Sequence, residues 1–241
     1  MVPTAAVYAA KTFVAQRPWL LAPLARLRGH GVLLGPDTEV VIEGYPRSAN
    51  SFAVAAFELA QGRPTRIAHH THAPAHVLLA LRRGVPAIVL IREPEEAVLE
   101  FVLVRPGLPL RSALRGYLRF YEPLLPHLGR FVVGPFPEVT TDLGRVIRRV
   151  NDLYGTGFLP FEHTPENQRA CFEAMDRYWR SRVGPGEELE RRVGRPSALR
   201  ERLKEELRPA YRAPGLRALR ERALELYRAF AAPHVPVPEG P

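Results

Sequence analysis

The chain has 241 residues, 46% of them hydrophobic and 24% charged, with a formal net charge of +9. That length and apolar content suit one α/β domain with helical additions, or at most two small domains. One cysteine excludes an internal disulfide framework, and no window approaches the roughly 18 apolar residues of a membrane span.

The basic balance favours acidic ligands and leaves nucleic acid or an anionic membrane surface open. Nearly all of it is arginine, the only lysines being Lys11 and Lys204. The segment Met1–Gly35 lacks a clear signal-peptide core and cleavage site, so a cytoplasmic protein is expected. Residues 5–28 read as one or two short helices, with Trp19, Leu20, Leu21, Leu24 and Leu27 capping a core or lying on a membrane surface.

Val40-Val41-Ile42 is a β-branched apolar run of the kind a buried parallel strand shows. Gly44 and Pro46 break it. A helix follows from Ser51, with Phe52, Ala55, Ala56 and Leu59 on one face and Gly62 to stop it. This strand, tight loop and helix leave the N–H groups around Ser48–Ser51 at a helix N-terminus, where phosphate and sulfate groups bind. Arg47 adds a cation, and Ser48, Asn50 and Ser51 add side-chain donors.

Gly62–His76 is polar and reads as a loop or irregular strand, then His76–Arg83 as a short helix ended by Gly84. Pro86–Ile91 is a second buried strand, followed by a helix with Pro94 near its first position and Glu95 and Glu96 in its first turn. Pro106 and Gly107 end it. Leu110–Leu125 is amphipathic, with Leu114, Tyr117, Leu118 and Tyr121 on one face. Arg130–Val133 is a third strand.

Thr141-Asp142 opens a helix stopped by Gly155, and Thr164-Pro165-Glu166 caps another through about Arg182. Cys171 lies among apolar helix positions and is expected to be packed. Val183–Pro196 reads as a loop bearing Gly and Arg, and Ser197–Leu207 and Gly215–Ala231 as terminal helices. Strands alternating with helices predict a doubly wound parallel sheet. One unit is expected: an N-terminal helical segment over 1–37, a nucleotide-binding core over 38–160 and a helical part over 161–241.

Tyr45-Pro46-Arg47-Ser48-Ala49-Asn50-Ser51-Phe52 resembles the 5′-phosphosulfate loop of sulfotransferases that use 3′-phosphoadenosine 5′-phosphosulfate (PAPS), whose pattern is roughly Tyr-Pro-Lys/Arg-Ser-Gly-Thr-Thr-Trp. Arg47 fills the cationic slot, Ala49 the Gly slot, Asn50 and Ser51 the Thr slots, and Phe52 the Trp slot. Ile88–Val98, a strand followed by Arg92-Glu93-Pro94, is similar to the family's 3′-phosphate element. Between them, His72-Ala73-Pro74 matches the His-x-Pro form of the catalytic histidine, with His70 in reserve. Phe131–Val139 resembles the third strand and its acidic segment, with Glu138 in a structural role. Arg191, Arg192 and Arg195 lie where the family carries a basic loop over the 3′-phosphate, though a solvated charge run explains them equally well.

The resemblance implies a three-layer α/β fold of the P-loop/sulfotransferase type. It further implies sulfuryl transfer from PAPS to a hydroxyl or amine on a small molecule or glycan, without a metal. In it Arg47 and the loop amides hold the phosphosulfate, His72 takes the acceptor proton, Arg92 holds the 3′-phosphate, and Phe52 packs near adenine. One position departs from the pattern: Glu100 stands where a Ser normally binds the 3′-phosphate, and a carboxylate there repels it.

Other readings stay open at this level. A module that kept the fold without catalysis is one. The four histidines His69, His70, His72 and His76 as zinc ligands are another, although no cysteine or carboxylate lies at a close spacing to complete the set. A P-loop kinase lacks its Gly-Lys-Ser/Thr signature, and a nucleic-acid binder has no motif beyond charge.

Overall fold

The computed structural model describes residues 4–17 and 32–232. Four parallel strands form one sheet: β1 (Val40–Gly44), β2 (Ile67–His69), β3 (Ala87–Ile91) and β4 (Val132–Pro135), in the order β2-β1-β3-β4. Val40 stands opposite Ile67, Ile42 opposite Ile88, and Leu90 opposite Gly134. β1 and β3 are fully buried, as the β-branched runs require when helices cover both faces. β2 is the strand that the sequence left undecided. Three residues are too few for a periodicity, and it forms through its pairing with β1.

Alternate strand residues feed two cores. Val41, Val89 and Ile91 point into one face, packed by α1 (Thr4–Ala15), α3 (Pro74–Arg82), α4 (Pro94–Leu103), α5 (Leu110–Tyr121), α10 (Ala198–Arg212) and α11 (Arg217–Ala231). Val40, Ile42, Ile88 and Leu90 point into the other. That face is packed by α2 (Asn50–Gln61), α6 (Phe136–Thr141), α7 (Leu143–Tyr154), α8 (Pro165–Val183) and α9 (Glu187–Arg192). The result is a doubly wound three-layer α/β architecture with helices added at the C-terminal end. Trp19, Leu20, Leu21, Leu24 and Leu27 lie outside the described residues.

The punctuation behaves as its chemistry dictates. Gly62 ends α2 at φ 59° and Gly155 ends α7 at φ 65°. Asp142 and Thr164 accept the N–H groups of Arg145 and Asn167 at the starts of α7 and α8. Cys171 is buried in the second core, and burial pushes its thiol up to about 11.

Three expectations need correction. Leu59 is 44% exposed; of the expected face of α2, Phe52 and Ala56 are buried, and Ala53 and Phe57 complete the packing in place of Leu59. The amphipathic helix stops at Tyr121 and continues as a 3₁₀ turn over Glu122–His127, because Pro123 and Pro126 cannot donate to the α ladder. The 183–196 segment contains α9, where Glu187 and Glu188 pair with Arg191 and Arg192 one turn on. No helix among the described residues is long and apolar enough to cross a membrane.

Candidate active site

The sheet order reverses between β2 and β3, on either side of β1, so a crevice opens beyond the carboxyl ends of β1 and β3. Three segments meet there: the loop leaving β1, the turn leaving β3 at Arg92, and the histidine segment after β2.

Gly44 sets the approach of the first two. A Cβ there would stand 2.7 Å from the Leu90 carbonyl oxygen and 2.9 Å from Leu90 Cβ, so a side chain would force β1 and β3 apart. The Tyr121 hydroxyl ties the same point, donating to the Leu90 carbonyl at 2.8 Å and accepting the Tyr45 N–H at 3.3 Å. The Tyr45 hydroxyl donates to the Ala113 carbonyl at 3.0 Å. The β1 loop is thereby anchored to α5.

Beyond Tyr45 the backbone alternates. Arg47 and Ala49 have left-handed φ values of 71° and 68°, while Ser48 and Asn50 between and after them do not. Such alternation turns successive N–H groups toward one side, the geometry of an anion-binding concavity. Ser48 donates its N–H to Tyr45, and the N–H groups of Ala49, Asn50, Ser51 and Phe52 have no acceptor among the described residues. They open α2, whose N-terminus adds partial positive charge. The Asn50 Oδ1 atom is also buried and unpartnered, a group that a ligand donor or a water would satisfy.

The loop's side chains are mostly turned inward. Ser48 is buried with its hydroxyl 3.5 Å from that of Tyr121. Asn50 donates Nδ2 to the Tyr45 carbonyl at 3.0 Å. Ser51 meets His70 Nε2 at 3.0 Å. Phe52 is 3% exposed, enclosed by Phe161, Phe172 and His163, so its ring is part of the second core.

The histidine segment is organised by a residue whose role sequence reading missed. Glu43, fully buried on β1, accepts the Thr71 N–H at 2.8 Å, the Thr71 hydroxyl at 2.7 Å, the His72 N–H at 2.9 Å and His76 Nδ1 at 2.9 Å. Burial alone would raise its pKa. The bonds from His76 and Thr71 outweigh that and hold the carboxyl at about 2. His76 Nε2 accepts the Leu34 N–H at 2.9 Å, so its proton sits on Nδ1 and the ring is a structural link. The signal was a charged residue inside an apolar strand run.

His70 and His72 both take left-handed φ, at 59° and 50°. Burial pushes His70 down to about 3; its Nε2 faces Ser51, and its Nδ1 lies 2.6 Å from His69 Nδ1. His72 differs. Its Nδ1 lies 2.8 Å from the Gly44 carbonyl, which can only accept, so the proton is on Nδ1. Nε2 then carries a lone pair, and no partner for it exists among the described residues. Burial lowers the His72 pKa, keeping that nitrogen unprotonated at neutral pH. The four histidines do not converge as a ligand set, and among the described residues no metal-binding group of His, Cys, Asp or Glu is present.

The cations are not free. Arg47 donates to Glu100 Oε2 at 2.9 Å and to the carbonyls of Arg192 at 2.8 Å and Val193 at 3.3 Å. Arg200 Nε reaches the same Glu100 oxygen at 3.0 Å, and the rest of its guanidinium donates to the carbonyls of Glu190 and Arg195. Lys204 pairs with Glu96 and lies 3.9 Å from Glu100 Oε1. Burial tends to raise the Glu100 carboxyl, but Arg47 and Arg200 hold it below the usual range. Arg92 donates to the Arg47 carbonyl and to Glu96, each at 3.3 Å, and lies 4.1 Å over the Phe136 ring.

The side chains of Arg191 and Arg192 pair with Glu187 and Glu188 on α9, and that of Arg195 pairs with Asp176 and Glu190, while the carbonyls of Arg192 and Arg195 serve the cluster. Glu138 on α6 pairs with Arg149 at 2.6 Å. Arg200 and Lys204 went unread in the sequence because α10 looks like an ordinary surface helix.

No family model and no curated protein matches the chain. Among solved structures, the crystal structure of mouse sulfotransferase SULT7A1 complexed with PAP aligns with it. The match has 12% identity and a TM-score of 0.41, covering 84% of this chain and 93% of that one. A likeness at that identity and score says nothing about the reaction.

Proposed function

We propose that the protein is a sulfotransferase, moving a sulfuryl group from a PAPS-type nucleotide to a hydroxyl or amine of a small molecule or glycan. The observation that carries this reading is a juxtaposition. Four unpartnered N–H groups open α2 at Ala49–Phe52, where Ser51 meets His70, and the His70 ring lies 5.8 Å from that of His72, whose Nε2 lone pair is open. A donor of this class supplies a sulfuryl group already attached to a good leaving phosphate. The chain's own contribution is to hold the phosphosulfate on the amides of Ala49–Phe52 and to take the acceptor's proton on His72 Nε2. Glu43 positions His72 through its N–H, and Gly44 fixes the tautomer.

The fit is uneven. The 5′ end of such a nucleotide matches the loop. Around Arg92 the match is partial: Arg92, Arg47, Arg200 and Lys204 are engaged by Glu96 and Glu100, so a 3′-phosphate there competes with two carboxylates for their donors. That same pairing favours the second reading, a module that binds a nucleotide or other anion without catalysis.

Calorimetry on the full chain with adenosine 5′-phosphosulfate, PAPS, ATP and a short DNA duplex tests the proposal. Binding of a phosphosulfate nucleotide in preference to ATP and DNA is the expected result. Binding of ATP or DNA alone overturns it. A bound phosphosulfate that is never turned over with any hydroxyl or amine acceptor selects the second reading.

A further inference from the structure

We propose that His69 and His70 hold the Ser51 hydroxyl as a further donor to the anion at the start of α2, the single proton between the two rings setting which way that hydroxyl points. The inference rests on the reading of the Arg47–Phe52 loop given above and gives His70 a positioning role beside it.

The three side chains form one line of contacts. His69 ends β2 and is fixed on both sides, in register with Ile42 and joined to Val32 by two backbone hydrogen bonds of 3.0 Å. His70 leaves the strand with a left-handed φ of 59°, a conformation that an L residue keeps only where its surroundings enforce it. That turn folds its ring against His69, with centroids 4.7 Å apart at 81°, and brings the two Nδ1 atoms to 2.6 Å. The other nitrogen of His70, Nε2, reaches Ser51 Oγ at 3.0 Å, and Ser51 is the second residue of α2. Among the described residues His70 is the one hydrogen-bond partner of that hydroxyl.

Proton counting leaves two arrangements. Burial lowers both pKa values, so each ring is neutral near neutral pH and carries one proton. The Nδ1 pair needs one proton: two would set N–H against N–H, and none would set lone pair against lone pair. If His69 supplies it, His70 carries its own proton on Nε2 and donates to Ser51 Oγ. The Ser51 proton is then free for a ligand held on the N–H groups of Ser51 and Phe52. If His70 supplies it, Nε2 is a lone pair and Ser51 donates back to the ring, leaving only oxygen lone pairs for the ligand. A sulfate or phosphosulfate oxygen accepts and does not donate, so the first arrangement stabilises it and the second repels it. The anion thereby selects the tautomer, and Ser51 joins the amides as a charge-assisted donor.

Calorimetry with adenosine 5′-phosphosulfate on the full chain, wild type and variants, tests the assignment. Ser51→Ala should weaken binding roughly tenfold or more, the scale of a hydrogen bond to a charged group. His70→Phe keeps the bulk of the ring without its nitrogens and should weaken binding several-fold. His70→Gln can still donate to Ser51 Oγ and should recover most of that loss, which a purely structural role would not produce. Wild-type affinity in folded Ser51→Ala or His70→Phe overturns the proposal and leaves the loop reading intact, and so does a His70→Gln no better than His70→Phe. The wild-type chain alone gives a second readout. Nitrogen NMR shifts of its histidine rings under saturating inorganic sulfate should show His70 protonated on Nε2 and His69 on Nδ1. A His70 protonated on Nδ1 under sulfate overturns the assignment even where a variant unfolds. A chain that binds neither sulfate nor adenosine 5′-phosphosulfate overturns the loop reading and this inference with it.

Discussion

His72 Nδ1 lies 2.8 Å from the carbonyl oxygen of Gly44, and that one contact decides which nitrogen of the ring can do chemistry. A carbonyl accepts and never donates, so Nδ1 carries the proton and Nε2 the lone pair. Gly44 is also the residue that lets β1 approach β3 and the last before the Tyr45–Phe52 loop. The tautomer of His72 and the position of the loop are therefore set from the same point of the backbone.

The first prediction follows from that tautomer. His72→Ala should lower turnover by roughly 10²–10⁴-fold, the usual span for loss of a general base, with nucleotide binding retained. His70→Ala should do far less, since both of its nitrogens are engaged by Ser51 and His69. Initial rates and calorimetric affinities on the two variants check this, and a reversed order would assign the base to His70. Because burial lowers the His72 pKa, the rate should hold at neutral pH and fall only on acidification below the ordinary histidine range.

Arg47 is tied into the fold as well as into the loop. Arg47→Ala removes one of two guanidinium bonds to the buried Glu100 and strips donors from the Arg192 and Val193 carbonyls. Breaking a buried pair from one side costs about 3–5 kcal/mol, and the remaining Arg200 places the expected loss near the lower end, about 3 kcal/mol. Urea unfolding measures it. A loss below about 0.5 kcal/mol would show that the Arg47–Glu100 pair does not form in solution.

Acid should destabilise the protein in two overlapping stages. His70 has a folded value of about 3, below its ordinary 6.5, so the unfolded chain binds its proton first and stability begins to fall below about pH 6.5. Glu43 has a folded value of about 2 against 4.5, so its contribution is present above pH 4.5 and is lost as pH falls toward 2. Glu43→Gln should flatten the pH 4.5–2 part of the stability curve, and, because the Glu43 charge raises the His69, His70 and His72 pKa values, it should deepen the histidine part and not shrink it. Equal slopes in variant and parent would refute the assignment.

Ala49 is a non-glycine residue in the left-handed region, which costs an L side chain roughly 1–2 kcal/mol. Ala49→Gly should relieve most of that cost and give back part as unfolded-chain entropy, for a net gain of about 0.5–1 kcal/mol in thermal or urea unfolding. Destabilisation would mean that the alternating loop conformation is not the native one.

Much of this was legible in the residues alone. The β-branched runs at Val40–Ile42 and Ile88–Ile91, the stops at Gly62 and Gly155, and the caps at Asp142 and Thr164 act over a few residues. Local sterics and local hydrogen bonds settle them, so periodicity and punctuation report them faithfully. Arg47 and Arg92, each just beyond a buried apolar run, likewise marked the loops that leave β1 and β3. What the folded chain alone decided is who partners whom. Arg47 and Arg200 meet at Glu100 from positions 53 and 100 residues away, Tyr121 reaches Leu90 and Tyr45, and Glu43 gathers Thr71, His72 and His76. An arginine reads the same in sequence whether its fork faces a ligand or a buried carboxylate. The choice depends on which helix the fold brings alongside, and burial then makes each of those pairings decisive, because a charge removed from water must find its partner inside the protein.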